Sequence, residues 1–211
     1  MTWVSPCSGP AGCWPAPTSA SRTAGIATST RALKKARAEN RALIFTGEAS
    51  FRQDSTLHAT WSRAGHPPEF PVTGERKSVK ILGAIELWQA RFHYAHAPVF
   101  NTSTYLDFLQ QLAPSYRCRG AILIQDNAAY HKDAEVWGWF SSNRQWLEVH
   151  QLPPYSPELN PTERLWQFTR QNATHDRYFA TPAELLATLT RTFADMQSYP
   201  ELIRPCLLSF C

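Results

Sequence analysis

The chain reads as one α/β layered domain, and three observations lead there. Short apolar runs alternate with segments of helical period along most of the sequence. One run, Ala121-Ile122-Leu123-Ile124, is apolar at every position, as a strand buried on both faces must be. Pro, Gly, Asn and Asp cluster in the intervals between the runs. A length of 211 residues with 43% hydrophobic content suits a single sizeable core.

Each element follows from its own pattern. Residues 1 to 29 are rich in Ala, Ser, Thr, Pro and Gly without a sustained period and read as a loop or disordered tail. Thr30 to Asn40 reads as a short basic helix. Ala42 to Thr46 is expected as a buried strand, with a hairpin partner around Leu57 to Trp61 and a second pair, Val79 to Leu87 with Arg91 to His96. Thr102 to Leu112 has apolar residues at 105, 106, 108, 109 and 112, a helical spacing, with Asn101 or Thr102 as cap. Gly120 to Gln125 is expected as the central strand, Asp133 to Phe140 as a helix and Leu147 to Leu152 as a strand. Pro161 to Asn172 and Pro182 to Met196 read as helices, and 199 to 211 as a C-terminal tail.

Composition bounds the function. A net charge of +4 and a pI near 8.9 permit a nucleic-acid partner without requiring one. The five cysteines are odd in number and lack a Cys-x-x-Cys pair, so neither a disulfide framework nor a zinc site is suggested, and a reducing cytoplasm is the expected compartment. No run of roughly 18 apolar residues occurs, and no basic-then-apolar leader opens the chain, so a membrane span and export are not expected.

Two acidic residues stand where chemistry is plausible. Asp126 ends the all-apolar run, where ligands gather at the ends of strands in open α/β sheets, and Asn127 beside it can fix that edge. Asp-Asn also begins ordinary turns. Glu163 follows after 36 intervening residues, in the first turn of a helix approached through Pro153, Pro154, Pro157 and Pro161. Asn160-Pro161-Thr162-Glu163 is equally a good capping box, so the spacing alone leaves Glu163 as cap or as metal ligand. Carboxylates brought together from distant segments are what a divalent ion needs for phosphoryl transfer.

These segments together carry a resemblance. Ile124-Gln125-Asp126-Asn127-Ala128-Ala129-Tyr130-His131 and the stretch from Pro153 to Trp166 resemble the DDE-type transposases of bacterial insertion sequences, in the broad group that includes the mariner elements. Phe45-Thr46-Gly47-Glu48-Ala49-Ser50-Phe51, Trp61 with Gly65-His66-Pro67-Pro68, and Gly74-Glu75-Arg76-Lys77 ahead of Val79 to Ala84 fit the same family in the same order. The resemblance implies a ribonuclease-H-like fold over residues 30 to 198, a mixed central sheet flanked by helices. It implies Asp126 and Glu163 as catalytic metal ligands and two Mg2+ or Mn2+ ions, with DNA cut at element ends and joined to a target, and a possible homodimer. Relatives also carry a helix-turn-helix portion ahead of this core, for which no pattern is seen here.

One departure stands out: the family places its first catalytic aspartate immediately before Glu48, where this chain has Gly47. Successive strand side chains alternate faces, so Glu48 is expected to point away from the direction of residue 47. Very low or no cleavage and joining activity is the expectation, raised by Gly47→Asp when an N-terminal DNA-binding portion is also supplied. His131 is a possible supporting residue near the metals, or a locally bonded histidine at a helix start. Arg52, Arg63, Arg76, Lys77 and Lys80, interleaved with Phe51 and Trp61, and Arg164 and Arg170 beside Glu163, form the expected DNA-contacting surface, or an ordinary solvated basic face. Trp137, Trp139, Trp146 and Trp166 are expected in the core or in groove walls. Beside the transposase reading stand a non-catalytic DNA-binding or dimerising remnant and, more weakly, a nuclease acting on hybrids or branched DNA.

Overall fold

A computed structural model describes residues 30–54, 74, 77–154 and 156–208. A helix over residues 30–38 (α1) leads into the strand Ala42–Arg52 (β1), followed by Ser78–Glu86 (β2) and Arg91–Ala97 (β3). The helix Thr102–Tyr116 (α2), strand Ala121–Gln125 (β4), helix Ala134–Ser142 (α3) and strand Leu147–Gln151 (β5) come next. The helices Pro161–Thr169 (α4), Pro182–Ser198 (α5) and Arg204–Leu207 (α6) complete the order.

The five strands form one sheet in the order β3-β2-β1-β4-β5. β1, β2 and β3 are antiparallel neighbours, whereas β4 runs parallel to β1 and β5 parallel to β4. Parallel pairing demands crossovers, and α2 and α3 supply them. The alternation along each strand then divides the core in two. Leu43, Phe45, Ala49 and Phe51 of β1, with Ile122 and Ile124 of β4, bury against α1, α4, α5 and α6. Ala42, Ile44, Ala121 and Leu123 bury against α2 and α3 on the other face. The result is a sheet between two helical layers, both faces covered, which is why β4 carries no polar residue before Gln125.

Three expectations change. β1 extends to Arg52 rather than ending at Thr46, because residues 47–52 continue the ladder opposite Ser78 to Gly83. α2 runs on to Tyr116 with Pro114 in its last turn. The segment read as a tail holds α6, and Ile203 and Leu207 are fully buried in the same core as α4 and α5. The hairpin partner expected near Leu57 to Trp61 lies outside the described residues, as do residues 1 to 29.

α4 sits unusually close to the sheet, and two glycines make room for it. Gly47 and Gly83 are direct partners in the β1–β2 ladder. A Cβ on Gly47 would lie 2.3 Å from Thr162 Oγ1, and a Cβ on Gly83 would lie 2.4 Å from the Trp166 ring. Thr162 and Trp166 are four residues apart, so they share one face of α4 and rest on the two glycines. Trp166 is wholly buried, edge-on to Phe51 and Phe92 with centroids 6.1 Å away in each case. At the helix start, Asn160 caps Thr162 N through Oδ1 at 3.1 Å and donates through Nδ2 to the Thr46 carbonyl at 3.0 Å. Of the two roles the sequence left open for Glu163, the cap is not taken: the cap is one-sided, from Asn160, and leaves the Glu163 carboxylate out.

Gly83→Ala is therefore expected to destabilise the fold by about 1–3 kcal/mol through overpacking against Trp166, measurable by urea denaturation. Gly47→Asp alone is expected to cost a similar amount, about 1–3 kcal/mol, because Thr162 occupies the space. Adding Thr162→Ala should return most of that loss, and a thermodynamic cycle over the two positions would read the coupling. Additive effects at 47 and 162 would contradict this packing.

Candidate functional site

Asp126 stands one residue beyond β4, where the polypeptide leaves the sheet. Its Oδ1 accepts from Ala128 N at 3.0 Å and is 2.9 Å from His131 Nδ1, so one carboxylate oxygen is fixed from two sides. Burial raises the pKa of this carboxyl. The His131 bond and charge and the Ala128 N–H more than offset that, and hold it below the usual carboxylate value. Asn127 Nδ2 donates to the Leu152 carbonyl and ties the end of β4 to the end of β5. Both the turn-forming and the strand-end readings of Asp126-Asn127 are thus realised in one structure.

His131 is fully buried, with its ring centroid 4.2 Å from that of Tyr105 and 4.5 Å from that of Tyr130. Its Nε2 has no hydrogen-bond partner. Tyr105, from α2, donates to Gln125 Oε1 at 2.6 Å, so the last residue of β4 is anchored as well. Burial, reinforced by nearby carboxylates, pushes the Tyr105 and Tyr130 hydroxyls far up, so both remain neutral. Sequence reasoning placed Tyr105 only as an apolar helical position; its hydroxyl role carries no local signal, since Gln125 is twenty residues away.

Glu48 does point away from Gly47, as strand alternation requires, yet it points toward Asp126. Ligand atoms of Glu48, Asp126 and His131 all lie within 4.8 Å of one another. The parallel register explains this. Phe45 pairs with Ile124, so two residues further on Gly47 comes level with Asp126, and Glu48 follows on the α2 side of the sheet. Burial, then repulsion from Asp126, raises the Glu48 pKa. The Tyr130 hydroxyl interacts with Glu48 but falls outside hydrogen-bond geometry, and Glu48 Oε2 is buried with no bond formed.

Glu163 lies in the first turn of α4 and lines one cavity of about 560 Å³ with Asp126, Asn127, Lys132, Ser156 and Asn160. Its pKa is also raised, by burial first and by Asp126, against the opposing charge of Arg170. Oxygen donors with one imidazole, two carboxyls short of counter-charge and an orphaned carboxylate oxygen form a donor set that suits a hard divalent cation.

The basic residues divide. Arg52 and Lys77 are exposed and Lys80 half-buried. Ser78 faces Arg52 and Ser50 faces Lys80 across the ladder, which sets Arg52 and Lys80 on the same face of the sheet as Glu48. Arg164 is exposed on α4, and Arg170 lies 5.4 Å over the Phe51 ring. Phe51 itself is core, not part of a DNA surface. Arg63 and Arg76 fall outside the described residues, with Trp61 and Tyr155. Trp146 and Trp166 are buried as expected, whereas Trp137 is 41% exposed. Among the described residues no helix is long and apolar enough to cross a membrane.

Residues 42–186 match the family described as DDE superfamily endonuclease. The insertion element IS630 uncharacterized 39 kDa protein of Shigella sonnei is 23% identical over 171 residues, which is 81% of this chain and 49% of that protein. The chain thus spans about half the length of that curated relative. Among solved structures, the Mos1 transposase paired-end complex with left transposon end superposes with a TM-score of 0.66 at 18% identity, covering 97% of this chain and 67% of that one. The catalytic domain of Mos1 mariner transposase gives 0.60 at 18% identity, covering 93% and 98%. With its mixed five-stranded sheet between helical layers the protein has the ribonuclease-H-like fold, and it belongs to the DDE superfamily of endonucleases.

Proposed function

We propose that this domain is a DNA transposase core that cuts and joins DNA strands with the help of divalent metal, and that Asp126 and Glu163 hold the cation. The observation that carries the reading is the meeting of these two carboxylates, from a strand end and a helix start, on one cavity. Mos1 has been solved with Mg, with Mn and with a transposon end, which supports both the cofactor class and the DNA partner. Mg2+ or Mn2+, two ions in the full family scheme, would activate the attacking oxygen and stabilise the leaving one. Asp126 is held for that task by His131 and by the Ala128 N–H, which fix one oxygen and so set the direction of the other. Asn127 pins the loop beneath it.

Arg52, Lys77 and Lys80 at the far end of β1 and β2, with Arg164 and Arg170 on the α4 side, are the residues we assign to phosphate contacts. Arg63 and Arg76 keep that assignment from sequence alone. Work on paired ends calls for two copies of the chain, and the compartment that fits is the cytoplasm. Gly47 brings no carboxylate, so turnover is weak. This same residue favours a second reading, a folded remnant that binds DNA without cutting it.

Plasmid nicking in Mn2+ separates the two. The parent chain should nick slowly, and Asp126→Ala and Glu163→Ala should each reduce nicking by more than the roughly 10–100-fold that loss of a merely supporting residue costs. Gly47→Asp combined with Thr162→Ala should exceed the parent, whereas Gly47→Asp alone should gain less. Equal nicking by the parent and Asp126→Ala would remove the metal-site mechanism, and DNA binding indifferent to metal without any nicking would establish the remnant.

A further inference from the structure

The geometry points to Glu48 as the third carboxylate of the metal site, supplied from the strand position next to the glycine that cannot supply it. This rests on the metal-site reading above and deepens it. Three observations carry it. The ligand atoms of Glu48, Asp126 and His131 lie within 4.8 Å of one another, a span that one hard cation with oxygen ligands at roughly 2.0–2.6 Å can bridge. Glu48 Oε2 is buried and makes no hydrogen bond, and the fully buried His131 beside it leaves Nε2 unpaired. A carboxylate in that condition is costly unless a cation or a proton reaches it.

The third observation concerns the direction of approach. Position 47 faces α4, and Thr162 closes the space there. Position 48 faces α2 and meets Asp126 from the opposite side of the sheet. A carboxylate from position 48 in place of one from position 47 would therefore reach a cation from the α2 side, with Asp126 shared in either case. Glu163 feels Asp126 across the cavity, and Glu48 feels both, so all three carboxyls belong to one electrostatic unit. His131 acts through Asp126 as a positioning residue, since its Nδ1 is occupied by that carboxylate.

The test is Mn2+ binding to the whole chain, read by the resonance signal of free Mn2+ and by Mn2+-induced thermal stabilisation, neither of which needs turnover. The parent should bind, Asp126→Asn should lose binding, and Glu163→Gln should weaken it. Glu48→Gln, isosteric and uncharged, should weaken binding by at least about tenfold while melting no lower than the parent in EDTA. Glu48→Asp, which keeps the charge but withdraws it by one methylene, should fall between. Unchanged affinity in Glu48→Gln with loss in Asp126→Asn would overturn the role of Glu48 and leave the metal site standing. Absence of Mn2+ binding in the parent would overturn both.

Discussion

The close approach of α4 to the β1–β2 ladder governs the rest of the site. A helix normally stands off a sheet by the depth of two layers of side chains, and here one layer is missing at two points, Gly47 and Gly83. Thr162 and Trp166 fill them, and the Asn160 amide ties the helix start to the Thr46 carbonyl. With residues 162 and 166 pressed on the sheet, residue 163 is rotated by about 100° along the helix and faces the strand ends instead. Glu163 is aimed by packing, not by a bond of its own.

The opposite wall of the site is built by α2 and the turn after β4. Tyr105 anchors Gln125, and the rings of Tyr105 and Tyr130 pack against His131, which holds Asp126. Tyr105, Gln125 and His131 are buried, so this part of the chain of contacts is stiff, and polar groups in such surroundings interact more strongly than they would in water. The same low dielectric makes the unpaired carboxylate oxygen of Glu48 costly. Stability and a preformed place for positive charge are set against each other in these few residues.

Much of this was legible in the sequence. The all-apolar run of β4, the helical spacing of α2 and the Pro-rich approach to α4 gave the element order, and Asp126 and Glu163 were visible as carboxylates at a strand end and a helix start. The length of β1 was not, because a glycine inside an alternating strand looks like an ending until its partner, Gly83, is known. Alternation correctly turned Glu48 away from residue 47. It could not tell that Asp126 waits on that other side, since the parallel register between β1 and β4 is a property of the sheet and not of either strand. The role of Tyr105 and the occupation of the Gly47 space by Thr162 are long-range contacts with no local trace. α6 was missed because a four-residue helix with a proline in its first turn has too short a period to register.

The lodging of Thr162 over Gly47 bears on which substitutions this protein can accept singly. With Thr162 already against the glycine, any side chain introduced at 47 passes through a folded state weakened by collision. A side chain at position 47 is therefore accommodated most readily when strand and helix change together, so steric fit couples two positions 115 residues apart in the sequence.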